Sequence, residues 1–192
     1  MRKIAANYIF PVNSDPIKNG YVKVDDNGTI IEIGQLEGEC EDTEFYNGIL
    51  CPGFTNAHCH IELSHLKGLF KEATGMSGFI NQINELRSSA DEPERRRALE
   101  EQFEILYREG TSAMGDISNC SESFDTKAKS PLLTRTFLEL FGTLPEEAEE
   151  VIASGKALEQ RAKAFGIKAA ITPHSCYTMS PQLLARAAQE GL

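Results

Sequence analysis

Pro52-Gly53-Phe54-Thr55-Asn56-Ala57-His58-Cys59-His60 sets two histidines two residues apart, just after a Pro-Gly turn and a short apolar run. If Phe54 to Cys59 is a strand, alternate side chains share a face. His58 and His60 then point together, and the intervening Cys59 points away, which disfavours a His-Cys-His chelate. Two imidazoles one pleat apart can hold one divalent cation at roughly 2.0–2.1 Å per nitrogen. A bare His-x-His pair is a weak signal because it arises by chance; the nine-residue run around it is the stronger one.

That run resembles the first barrel strand of the amidohydrolase superfamily, in the positions of Pro52, Gly53, Phe54, Asn56, His58 and His60. The longer string His58-Cys59-His60-Ile61-Glu62-Leu63-Ser64 is similar to the aminodeoxyfutalosine deaminase and chlorohydrolase branch. The resemblance implies an α/β fold, a (β/α)8 TIM-like barrel, with His58 and His60 as metal ligands. It also implies one divalent metal, zinc before iron, that activates water for attack on an electrophilic carbon.

Composition narrows the partners. The 192-residue chain is 41% hydrophobic and carries a formal net charge of −10. That balance disfavours a nucleic-acid backbone, which calls for a basic face. Five scattered cysteines, Cys40, Cys51, Cys59, Cys120 and Cys176, form no C-x-x-C pair. They read as a reducing, cytoplasmic compartment. Neither a signal peptide nor a membrane span of about 18 apolar residues is read. The expected partner is a small-molecule substrate, with homo-oligomer formation left open.

Periodicity changes near residue 50. Before it, residues 3–10 read as a strand, 13–20 as turn, and 21–24 and 29–33 as a hairpin closed by Asn27-Gly28. Residues 34–47 read as a loop with a short strand near Phe45. Residues 1–50 are therefore expected to be a small all-β segment; by the resemblance, it is the N-terminal part of a β-sandwich. After residue 50, strands are expected at 53–59, 111–117, 132–141 and 167–172. Helices are expected over 76–88, from Asp91 to Gly110, over 145–165 and from Ser180-Pro181 onward. Strand–helix alternation implies a parallel sheet, either an open sheet or the start of a barrel. The resemblance favours the barrel, making residues 51–192 its first four βα units.

A complete barrel takes about 250 residues, more than follow position 50. The resemblance places the remaining metal ligands and the proton-transfer residues on the fifth, sixth and eighth barrel strands. They are expected beyond Leu192, so the catalytic residues stay unknown and the chain reads as an N-terminal half, inactive alone.

Further candidates lie near the strand ends. Pro173-His174-Ser175-Cys176-Tyr177-Thr178-Met179-Ser180 resembles a run of nucleoside aminohydrolases, with Cys176 in place of a proline that would stiffen the loop. By strand counting within the resemblance, His174 is a substrate-binding candidate and not the third metal ligand, with a loop or core histidine as the alternative. Glu62 continues the two-residue period of His58 and His60, and lines the same pocket if the strand runs that far; a substrate hydrogen bond and a plain loop carboxylate weigh equally. His65 reads as loop packing. Asp116 reads as support for the metal ligands or, equally, as a helix-capping or turn residue. The acidic run from Glu146 to Glu150 complements a helix dipole.

The leading expectation is a metal-dependent aminohydrolase deaminating a ring amine, with aminodeoxyfutalosine or a related adenine nucleoside as substrate. The alternatives are a hydrolase of the same fold acting on a ring amide or chloro-heterocycle, and a non-catalytic half-barrel fragment.

Overall fold

In the computed structural model, which describes residues 1–38 and 41–192, the N-terminal strands are β1 (Arg2–Ile9), β2 (Ile17–Val24), β3 (Ile30–Gln35) and β4 (Thr43–Leu50). They form one sheet in the order β3-β2-β1-β4, with β1 antiparallel to β2 and parallel to β4. The Asp25 carboxylate closes the β2–β3 hairpin by accepting the N–H groups of Asn27 (2.9 Å) and Thr29 (2.8 Å), and Gly28 takes φ 82°. Ala6, Ile9 and Val22 form the buried cluster of this unit.

Two features depart from the expected pattern. β2 begins at Ile17, inside the stretch expected to be turn; Gly20 pairs with Ala6, and a Cβ on it would lie 2.5 Å from Ile9 Cγ1. The glycine that reads as a turn signal is there for close approach. β4 is a full strand, held by parallel pairing to β1 that no local pattern announces. Cys40, counted among the cysteines, lies outside the described residues.

The chain divides into two units, Met1–Gly53 and Phe54–Leu192. The second holds β5 (Phe54–Cys59), β6 (Thr111–Ser118), β7 (Leu133–Leu140) and β8 (Lys168–Pro173), all parallel and in sequential order. Its helices are α1 (Gly75–Leu86), α2 (Glu92–Arg108), α3 (Phe124–Lys129), α4 (Ala148–Ala164) and α5 (Pro181–Gln189).

Local chemistry sets the helix ends. Asp91 and Glu94 form a reciprocal capping box at the start of α2, and Gly110 follows it at φ 90°. The Ser180 hydroxyl accepts the Leu183 N–H at 3.1 Å to cap α5. Packing then fixes one face of the sheet. Leu99 and Phe103 of α2 bury against Met114, Leu132 and Ile61. Ile152 and Leu183, from α4 and α5, bury with Leu138, Leu140 and Ile171 of β7 and β8. Two elements escape the sequence pattern: α3 and a 3-10 turn over Ile61–Leu66. Both are six residues long, too short for a helical stripe to show. Among the described residues no helix is long and apolar enough to cross a membrane.

Candidate active site

The C-terminal ends of the parallel strands carry the candidate residues. On β5, Asn56 pairs with Met114 and Cys59 with Asp116, so three steps of β5 span two of β6. Regular alternation therefore fails between them: an irregularity of the bulge type falls at Ala57-His58. Asn56 stabilises it, its side-chain oxygen accepting the His58 N–H at 3.3 Å. Gly115 makes room for it, since a Cβ there would lie 2.6 Å from the Ala57 carbonyl oxygen.

His58 and His60 do come together, with ring centroids 5.3 Å apart and ring planes at 57°. Neither ring makes a hydrogen bond to another described residue. Cys59 packs the other way, against the Ile61, Leu99, Phe103, Met114 and Leu132 cluster. Burial, then the nearby Asp116 carboxylate, pushes its thiol up to about 11.

The extension of β5 to Glu62 does not occur. The strand stops at Cys59 and the chain enters the 3-10 turn, because the buried Asp116 carboxylate accepts the Ile61 N–H at 2.8 Å. Glu62 is buried, with Oε1 3.0 Å from Arg87 Nη2 and Oε2 accepting the Asn119 backbone N–H at 2.9 Å. The Cys120 thiol also donates to Oε2, at 3.3 Å. Burial first, and Glu62 next, push that thiol up to about 12. His65 Nε2 lies 3.0 Å from the Arg87 carbonyl oxygen, a loop contact.

Asp116 is fully buried and shares the helix-covered face with Cys59. Besides Ile61 it takes the Ser118 hydroxyl (2.8 Å) and the Lys127 ammonium (2.5 Å). It thus holds the backbone one residue beyond His60 and faces away from the two imidazoles.

His174 directly follows β8. Its N–H donates to the Leu140 carbonyl at 3.1 Å, and its Nδ1 lies 2.7 Å from Thr178 Oγ1. The loop beyond it, where Cys176 stands, is tied to the end of β7: Gly142 donates to Thr178 O at 2.9 Å and Ser180 to Gly142 O at 2.7 Å. Sequence reading missed Glu139. Its Oε1 lies 3.7 Å from His174 Nε2, and its Oε2 accepts the Asn119 side-chain N–H at 3.2 Å. The available signal was a lone carboxylate near the C-terminal end of an apolar strand. Through Asn119, a line of contacts runs along the rim from Glu62 to Glu139 to His174.

A concavity of about 590 Å³, lined by Thr55, Gly115, Arg135 and Phe137 among others, includes no histidine. Among the described residues no three His, Cys, Asp or Glu side chains converge as a metal site. The two unengaged imidazoles fit a divalent cation as two of its ligands and leave the remainder to groups from elsewhere.

The amidohydrolase family model matches residues 49–191. The chain belongs to the amidohydrolase family. Within the family, it is 24% identical over 190 residues to a Bacillus cereus 5-methylthioadenosine/S-adenosylhomocysteine deaminase, covering 92% of this chain and 43% of that protein. Helicobacter pylori aminofutalosine deaminase, solved with methylthio-coformycin, superposes with a TM-score of 0.72 at 23% identity, over 98% of this chain and 49% of that one. A zinc-complexed atrazine chlorohydrolase from Arthrobacter aurescens gives 0.71 at 13% identity, over 100% of this chain and 51% of that one. The chain thus spans about half the length of the family members it matches, and its mixed α/β architecture is theirs.

Proposed function

We propose that this chain supplies the first four βα units of a (β/α)8 hydrolase barrel, residues 51–192, preceded by a β-sandwich segment over 1–50, and that the complete protein is a metal-dependent aminohydrolase. The observation that carries the reading is the His58–His60 pair, two unengaged imidazoles brought together at the C-terminal end of a parallel sheet. Active sites of such barrels sit at that end. His58 and His60 would hold one divalent cation, zinc before iron. When bound, such a cation supplies Lewis-acid chemistry that can bring the pKa of water to about 7.

The chain's own residues set the rest. Asp116 and the Ala57-His58 bulge fix where the imidazoles point. His174 contacts the substrate, its ring held by Thr178 and its backbone by Leu140. Glu62, weighed above as a substrate contact or a loop carboxylate, contacts protein groups through both oxygens and supports Asn119 at the rim of the site. The reaction is hydrolytic removal of a ring amine, with an adenine nucleoside such as aminodeoxyfutalosine as substrate. Support comes from relatives named as deaminases of 5-methylthioadenosine and aminofutalosine. Protein expressed from the complete gene should release ammonia from such nucleosides and lose that activity to a chelator. Chloride release, or opening of a ring amide without ammonia, would assign the other hydrolase chemistry.

A further inference from the structure

Thr178 Oγ1 lies 3.1 Å from the Ser175 carbonyl, 2.8 Å from Ser175 Oγ and 2.7 Å from His174 Nδ1. Ser175 Oγ is itself 3.2 Å from Nδ1. Two hydroxyls therefore surround one ring nitrogen, and each can donate or accept. On this side alone the imidazole proton has no fixed place. Thr178 donates its one proton to the Ser175 carbonyl, so a neutral ring could carry its proton on Nδ1, donating to Thr178 Oγ1, or on Nε2, with the Ser175 hydroxyl donating to Nδ1.

The other side of the ring breaks the tie. Nε2 faces the Glu139 carboxylate at 3.7 Å, and the Glu139 side chain is only 9% exposed. An ionised carboxylate accepts and never donates. A bare Nε2 lone pair facing it would be repelled, whereas an Nε2–H is attracted. At 3.7 Å the contact exceeds hydrogen-bond length, so the carboxylate biases the proton without consuming it. Asn119 holds Glu139 in place through Oε2, leaving Oε1 for the ring.

We propose that Glu139 is a positioning residue that holds His174 in the Nε2–H form, so that the ring offers a free N–H donor to an acceptor atom of the substrate. This rests on the substrate-contact role given above to His174. Second groups of this kind commonly fix the tautomer and orientation of a working histidine.

Long-range proton–nitrogen NMR correlation on the protein labelled with 15N-histidine tests this directly, without substrate. His174→Ala assigns the ring, and about pH 8.5 keeps an ordinary imidazole neutral. The expected wild-type pattern is a protonated Nε2 and an unprotonated Nδ1. Glu139→Gln, which can donate to Nε2, should move the proton toward Nδ1; Thr178→Val should leave it on Nε2. A wild-type ring protonated on Nδ1, or a pattern indifferent to Glu139→Gln, overturns the proposal. In protein from the complete gene, Glu139→Gln should also raise KM about tenfold, the equivalent of one ordinary hydrogen bond, more than it changes kcat. A tautomer that responds while KM does not supports positioning by Glu139 and removes the substrate role of His174.

Discussion

Lys127 Nζ lies 2.5 Å from Asp116 Oδ2, with both side chains sealed from solvent. The same carboxylate accepts the Ile61 N–H, so the pair anchors the backbone that follows His60. Lys127→Met would leave a buried carboxylate without its counter-charge, at a cost of roughly 3–5 kcal/mol. Removing both charges with Lys127→Met and Asp116→Asn should cost less than Lys127→Met alone. Urea unfolding of the wild type and the two variants measures this, and equal losses would show that the pairing contributes little.

Gly115→Ala should be disproportionately harmful for a single methyl group. Its Cβ would meet the Ala57 backbone oxygen at 2.6 Å, and backbone cannot rotate away as a side chain can. About 1–3 kcal/mol of stability should be lost. The displaced segment carries His58, so metal affinity should weaken too. Calorimetry beside a metal titration checks both.

His58→Ala and His60→Ala, each in protein from the complete gene, should lower bound metal sharply and nearly abolish activity. The fold should persist, because Cys59 and Ile61, not the imidazoles, pack into the core. Elemental analysis with circular dichroism measures this; full metal occupancy in either variant would remove the metal-ligand role.

His174→Ala should behave differently. Loss of one or two substrate hydrogen bonds costs about 1–3 kcal/mol of binding, with metal content near wild type. If metal leaves with the ring, His174 is a ligand and the strand count is wrong.

Cys59 and Cys120 should resist alkylation near pH 8, while the exposed Cys51 and Cys176 react. Burial raises both buried-side thiols above their usual value near 9.0, to about 11 and about 12. The folded state therefore binds these protons more tightly than the unfolded one. Stability from this source is complete below pH 9.0 and declines as pH rises through about 11 and 12. Peptide mapping after timed labelling, and unfolding at rising pH, test the two statements.

The sequence by itself determined the strand–helix alternation after residue 50, the capping of α2 by Asp91 and of α5 by Ser180, and the approach of the His58 and His60 rings to each other. Each is written in neighbours a few residues apart, through periodicity, capping side chains or the two-residue spacing of one strand. Only the tertiary structure decided the rest. The bulge beside His58 exists because Gly115, on another strand, leaves space for the Ala57 carbonyl. Glu62 turned inward because Asp116 ends the strand by capturing the Ile61 N–H, and Asn119 and Arg87 then claim the carboxylate. Glu139 became visible only when β7 and β8 paired and set it beside His174. Local sequence fixes backbone conformation and donor type; the partner a buried carboxylate finds depends on which distant strand lies beside it.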